Sequence, residues 1–209
     1  SNVRFGVNAG NSIASGGNNN TVVGDEAGTS VTTGVQNTLI GSEAGDALTV
    51  GVRNVAVGFD SLSSDTQGSK SIAIGRSALA TQNFTSATDA YNVAVGDYAG
   101  AFVTTGTNNT LIGGLAGSAL TTGANNTFVG VSAGGVGVVT GNSNNCVGVG
   151  ALQSLTSGAN NSTLGDSAGT SVNTGSNNLL LGHDAGRTGS PGGNVTAGSN
   201  VIVLGDENI

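Results

Sequence analysis

The chain has 209 residues, a net charge of −7, 38 Gly, one Pro and one Cys, with only 8% charged and 36% hydrophobic residues. Average Gly usage is about 7%, so Gly is more than doubled here, yet hydrophobicity is too high and charge too sparse for a disordered chain. The acidic balance disfavours nucleic acid and anionic membrane as partners. No apolar run approaches the roughly 20 residues of a transmembrane helix, and no signal peptide is read before the first repeat.

In chain order, one sentence repeats about a dozen times. Copies begin at Asn2, Asn20, Asn37, Asn54, Ser71, Asn92, Asn109, Asn126, Asn144, Asn161, Asn178 and Asn200. Seven of the eleven steps are 17 residues and two are 18; the steps from Ser71 and Asn178 stretch to 21 and 22. Each copy opens with Asn, runs through three mostly apolar or Thr residues to a Gly, turns through a small residue (Ala44-Gly45 in the third copy), and closes on a second apolar and Thr segment. No sustained 3.6-residue period supports helix, where Gly costs about 1 kcal/mol per position. Collagen's Gly at every third position is absent.

The pattern predicts an all-β fold, a parallel β-roll or β-solenoid of about 12 coils of 17–18 residues, each with two strands and two turns. A three-sided coil would want an apolar residue every six. Stacking at about 4.8 Å gives a rod about 55 to 60 Å long. Residues 1–199 are read as the repeat domain and 200–209 as its last coil, leading to a further domain. Asn-Asn pairs at copy boundaries suit turns in the left-handed region, and stacked Asn side chains can form amide ladders.

Within the first strand, alternation separates two columns. The column of Val23, Ile40, Val57, Ile74, Ile112 and Val129 is apolar throughout and is expected to form the inner core. The neighbouring column of Val22, Leu39, Ala56, Ala73, Ala94, Leu111, Phe128, Cys146 and Leu180 is then expected to face outward. A stripe that apolar marks an interaction surface, and a second copy of the same chain is its economical partner. Cys146 cannot form an intrachain disulfide and reads as a small hydrophobe.

Asn54-Val55-Ala56-Val57-Gly58, Ser71-Ile72-Ala73-Ile74-Gly75 and Asn92-Val93-Ala94-Val95-Gly96 resemble the repeat of YadA-type trimeric adhesin heads. Copies with Ala-Gly and Thr-Thr-Gly are more similar to repeats in distal bacteriophage tail fibres, and Ser199 to Ile209 resembles the entry to the self-cleaving chaperone domain that follows such repeats. The resemblance implies a left-handed roll in a side-by-side homotrimer. It implies a structural, receptor-binding segment of a virion tail fibre that mediates host attachment, without enzymatic activity or cofactor. A bacterial surface adhesin head is the alternative. The family's cleavage residues are absent, so none carries over.

Receptor contacts are expected where the repeat is broken, because extra residues in a solenoid protrude. Four of the seven aromatics lie between Phe84 and Phe102. The candidates are Asn83, Phe84, Thr85, Asp89, Tyr91, Tyr98 and Phe102, for a protein or glycan receptor. The second insert, Arg187 to Asn194, reads as a Gly-rich loop. Asp25, Glu26, Glu43, Asp46, Asp60, Asp97, Asp166 and Asp184 are the carboxylates a depolymerase would pair about 5 to 9 Å apart; turn positions instead fit a solubilising role. The calcium-binding nonapeptide of other rolls is absent, and His183 is the single His. Ice binding would need a flat Thr array, but of adjacent pairs such as Thr32-Thr33 and Thr104-Thr105 only one member is expected to point outward.

Overall fold

The structure, a computed structural model, describes residues 1–190 and 193–206. The described residues hold no helix. Fourteen short strands follow in order: β1 Val3–Phe5, β2 Thr21–Val23, β3 Thr38–Ile40, β4 Val55–Val57, β5 Gly68–Ser69, β6 Ile72–Ile74, β7 Thr88–Asp89, β8 Val93–Val95, β9 Thr110–Ile112, β10 Thr127–Val129, β11 Asn145–Val147, β12 Ser162–Leu164, β13 Leu179–Leu181 and β14 Ile202–Leu204. Twelve of them stack as one parallel sheet in sequence order, with β5 and β7 forming a separate pair. The result is a β-solenoid of about 11 turns. Register is uniform: Leu39 pairs with Val22 on one side and Ala56 on the other.

Each strand of the twelve-stranded sheet is only three residues long because a Gly ends it. The Gly41 backbone has φ 133°, and a Cβ there would lie 2.4 Å from the Gly58 carbonyl oxygen of the next coil. Coils touch backbone to backbone at this level, which no side chain permits.

The alternation is real, but its sense is the reverse of the expected one. Leu39, Val22, Ala56, Ala73, Ala94, Leu111, Phe128, Cys146 and Leu180 are fully buried inside the chain. Ile40, Ile74 and Ile112 stand on the outer surface. The cause lies across the core. Strand-centre side chains are met by the residue six positions on, and in most coils the two exchange volume; at Ala94 and Gly100 both are small, and Leu79 and Leu111 of the neighbouring coils fill the space. Leu39 faces Gly45, whose added Cβ would sit 2.8 Å from Leu39 Cδ2, and Phe128 faces Gly134 at 2.0 Å by the same measure. Where the strand carries Ala56, Ala73 or Cys146, the facing residue is a fully buried Leu62, Leu79 or Leu152. Those leucines have φ of 53°, 52° and 53°, the same left-handed backbone as the glycines they replace. A leucine there costs of order 1 kcal/mol in backbone strain, outweighed by the roughly 2 kcal/mol gained from burying the side chain.

The expected second strand is largely missing. Its buried residues, such as Val31, Leu48, Val103 and Leu120, do form the far wall of the core. The backbone then turns immediately: the N–H groups of Thr32 and Gly34 both donate to the Thr49 carbonyl, at 2.9 and 3.3 Å. Two donors converging on one acceptor leave no second rung, so a strand pair survives only at β5–β7, with one isolated bridge from Leu120 to Val139.

A buried Asn ladder closes the coil. Oδ1 of Asn37 accepts the backbone N–H of Asn54 at 2.9 Å, while Asn37 Nδ2 donates to the Gly51 carbonyl of its own coil, also at 2.9 Å. The same pair of bonds recurs at Asn20, Asn109, Asn126, Asn144 and Asn161. The residue before the ladder Asn takes positive φ, as at Asn19, Asn108 and Asn160. An Asn-Asn pair thus divides its labour between turn and ladder. In the last coil the ladder position is Val201, not Asn200: the Val201 N–H donates to Asn178 Oδ1 at 3.0 Å, and Ile202 pairs with Leu179. The sheet continues through β14, and Glu207, Asn208 and Ile209 lie outside the described residues.

Candidate functional site

The outward face of the twelve-stranded sheet is one continuous surface. Its last-residue column, from Phe5 through Ile40, Ile74, Ile112 and Val147 to Leu204, is apolar in every strand. Seven of these twelve side chains are exposed and five half-buried. The stripe spreads onto the adjoining edge at Val7, Phe59, Val131 and Val149, all more than half exposed. Reading Val22 to Leu180 as the interface column placed the stripe on the wrong side of the strand; the exposed apolar stripe exists, one residue along. The sequence signal that distinguishes the two columns is size. The inner column swings from Ala to Phe, with Gly45 and Gly134 opposite Leu39 and Phe128 and leucines opposite Ala56, Ala73 and Cys146, whereas the outer column after Phe5 stays Val, Ile or Leu.

The broken copies are also resolved in detail. The coil opening at Ser71 lacks the ladder amide. Gln82, at a core position, reaches across: Nε2 donates to the Asp65 carboxylate at 2.6 Å and to Ser71 Oγ at 3.0 Å, and Oε1 accepts from Asn92 Nδ2 at 2.8 Å. Asp65 Oδ1 takes the N–H groups of Gly68 and Phe84 at 2.9 and 3.1 Å. All four side chains are fully buried, so this coil exchanges apolar core for a saturated polar cluster.

Of the candidate receptor residues, Phe84 is packed away at 7% exposure. Asn83 and Thr85 are exposed but tied to the preceding coil, through Thr66 Oγ1 to Asn83 Oδ1 and Gln67 Nε2 to the Thr85 carbonyl, each at 3.0 Å. Tyr91 precedes β8 and Tyr98 follows it, so the strand holds them apart. Each is stacked on a cation of the neighbouring coil: Lys70 Nζ lies 4.9 Å from the Tyr91 ring centroid and the Arg76 guanidinium 4.5 Å from that of Tyr98. Lys70 also bonds Asp89, at 2.5 Å, and the Tyr91 hydroxyl, at 2.9 Å; these two bonds, the Asp89 one foremost, hold the ammonium pKa above its ordinary value. Arg76 grips Asp97 with two bonds at 2.8 and 3.0 Å, which holds the Asp97 carboxyl below the usual range. The four aromatic candidates therefore divide into an interior packer, two staples and one free ring, Phe102, which is 58% exposed.

Phe102 lines an open groove of about 470 Å³ with Thr81, Thr104, Ala119, Thr121, Val136, Gly137 and Val138. The sequence reading missed Val136 and Val138, where one extra residue in the coil opening at Asn126 makes a small bulge. Both members of the Thr32-Thr33, Thr104-Thr105 and Thr121-Thr122 pairs reach the surface, because the backbone bends there instead of running as a strand. The expected one-in, one-out arrangement is corrected, and Phe102 with the bulge interrupts the Thr rows.

Asp46 is half-buried beside Glu43 and Asp60, and its Oδ1 has no partner; burial first, then the two carboxylates, raise its pKa. His183 Nδ1 is 3.5 Å from Asp206 and 3.8 Å from Asp184, which pairs with Arg187 at 2.5 Å. The second insert folds back on itself, with Gly186 N–H donating to Ser190 Oγ at 3.0 Å and Val195 N–H to the Gly186 carbonyl at 2.9 Å; Pro191 and Gly192 lie outside the described residues. Among the described residues no group of three or more His, Cys, Asp or Glu side chains is placed to hold a metal ion, and no helix is long and apolar enough to cross a membrane. No family model matches the chain, and neither a curated protein nor a solved structure matches it.

Proposed function

We propose that the chain is a structural segment of a virion tail fibre, a left-handed roll assembled side by side as a homotrimer, that carries attachment to a host surface. The observation that carries this reading is the uncovered apolar column of the sheet, Phe5 to Leu204. A face about 50 to 60 Å long and 10 Å wide amounts to about 500 to 600 Å² per chain, at the upper end of what monomers leave exposed. The column repeats at the rise of the coil, so the partner that covers it along its whole length has the same rise, which another copy of this chain supplies. Three copies around an axis let each chain cover two neighbours. None of the residues lining the groove at Phe102 belongs to this column, so an assembly through the column leaves the groove open.

Light scattering on the purified chain tests the assembly: the expected mass is three times 19.9 kDa. Ile40→Glu with Ile112→Glu, both on the outer column, should give monomers that retain the β spectrum. A wild-type monomer in dilute solution overturns the proposal. Adsorption of the trimer to bacterial cells tests the attachment role.

A further inference from the structure

Resting on that attachment reading, we infer that the Phe102 groove is the receptor site and that its ligand is a neutral saccharide. Three observations point to this chemistry. The lining holds no ionisable side chain in a chain of net charge −7, which places the acidic residues elsewhere and leaves a groove suited to an uncharged ligand. The floor is apolar, with Phe102, Val136 and Val138 each more than half exposed, at the cost of contact with water that a ligand would relieve.

The third observation is the state of the hydroxyls. Thr81 Oγ1 donates to the Ala101 carbonyl at 2.9 Å, Thr104 Oγ1 to Thr121 at 3.2 Å and Thr121 Oγ1 to Val139 at 3.1 Å. Each hydroxyl hydrogen is committed to the backbone, so the rim presents oxygen lone pairs at fixed spacing. A fitting ligand brings its own donors and an apolar face to lay on the ring of Phe102. A pyranose has both, equatorial hydroxyls around a CH face. A carboxylate or sulfate would bring acceptors to acceptors. The groove volume is in the range of small-ligand sites, enough for one or two sugar units. Tyr91 and Tyr98, which sequence alone ranks beside Phe102, are already stacked on Lys70 and Arg76.

The test is an array of neutral and sialylated oligosaccharides probed with the intact wild-type trimer, followed by titration of the strongest ligand. A neutral oligosaccharide should bind. Phe102→Ala and Val138→Glu should each weaken it about tenfold or more, and Tyr91→Ala should leave it unchanged. Both altered groove residues are exposed, so light scattering on the same samples should still show trimers. Retained binding in Phe102→Ala, binding confined to sialylated sugars, or no sugar bound at all overturns the groove assignment. Cell adsorption measured in parallel separates the two failures: adsorption that survives Phe102→Ala leaves attachment standing and removes the groove, whereas absence of wild-type adsorption removes the attachment reading itself.

Discussion

Gln82 Nε2 sits 2.6 Å from the Asp65 carboxylate, with both side chains fully buried in neighbouring coils at positions that are Val or Leu in most of the others. The pair exists because Ser71 is too short to continue the Asn ladder. Gln82→Leu should therefore cost about 1–3 kcal/mol, by stranding buried polar groups on Asp65, Ser71 and Asn92. The triple variant Asp65→Leu, Ser71→Asn, Gln82→Leu restores the ladder amide but leaves the Gly68 and Phe84 N–H groups without Asp65, so it should recover only part of that loss. Urea unfolding of both variants decides it; a triple variant less stable than the single one would refute this account of the cluster.

Volume exchange across the core predicts a compensating pair. Leu62→Ala removes a fully buried side chain facing Ala56 and should cost about 2–4 kcal/mol. Adding Ala56→Leu fills the space from the other side, as Leu39 does opposite Gly45. The double variant Ala56→Leu, Leu62→Gly should melt close to wild type, while Ala56→Leu alone melts lower through overpacking. Equal melting temperatures for the single and double variants would show that the two positions do not share one space.

The Asp46 pKa is raised by burial, so folding disfavours its ionised form. The stability it withholds is absent below the ordinary carboxylate range, where the group is protonated in both states, and grows as pH rises through the folded value. Asp46→Asn should raise the melting temperature at pH 7 and leave it unchanged near pH 3. A gain that persists at low pH would assign the effect to packing instead of charge.

Burial pushes the Cys146 thiol well above its usual range, and the thiolate is the reactive form. Iodoacetamide at pH 8 should leave the native protein unlabelled over hours and modify it fully in guanidinium. Labelling under native conditions would place Cys146 at the surface, contrary to its position between Phe128 and Thr163 in the sheet register.

The repeat length, the first-strand positions, the small residue at Ala44 and the Asn ladder are all legible in the sequence, because each depends on spacing alone. The facing of Leu39 and Ile40 is not, since alternation fixes two sides without saying which is inside. That sign is decided by Gly45 and Leu62, residues in a different part of the coil, and it becomes readable only when their sizes are compared with Leu39 and Ala56. The far side of the coil was over-read as a strand for a related reason: Val31-Thr32-Thr33 has strand composition, but the two N–H groups that converge on the Thr49 carbonyl are a property of the backbone path. For the aromatics around the long insert, local irregularity picks out one stretch of the chain, Phe84 to Phe102. It did not separate Tyr91 and Tyr98, spent on holding coils together, from Phe102.

The Asn ladder has one more consequence. Each internal coil that opens with a ladder Asn presents the same Oδ1 upward and receives the same one from below, so away from the Ser71 coil a unit of 17 residues can be added or removed without altering the bonds of its neighbours. The gene can thus tune reach in steps of about 5 Å, by duplicating or deleting a unit, while sealing, register and solubility stay as they were. In that sense the molecule is a ruler whose graduations are also its building blocks.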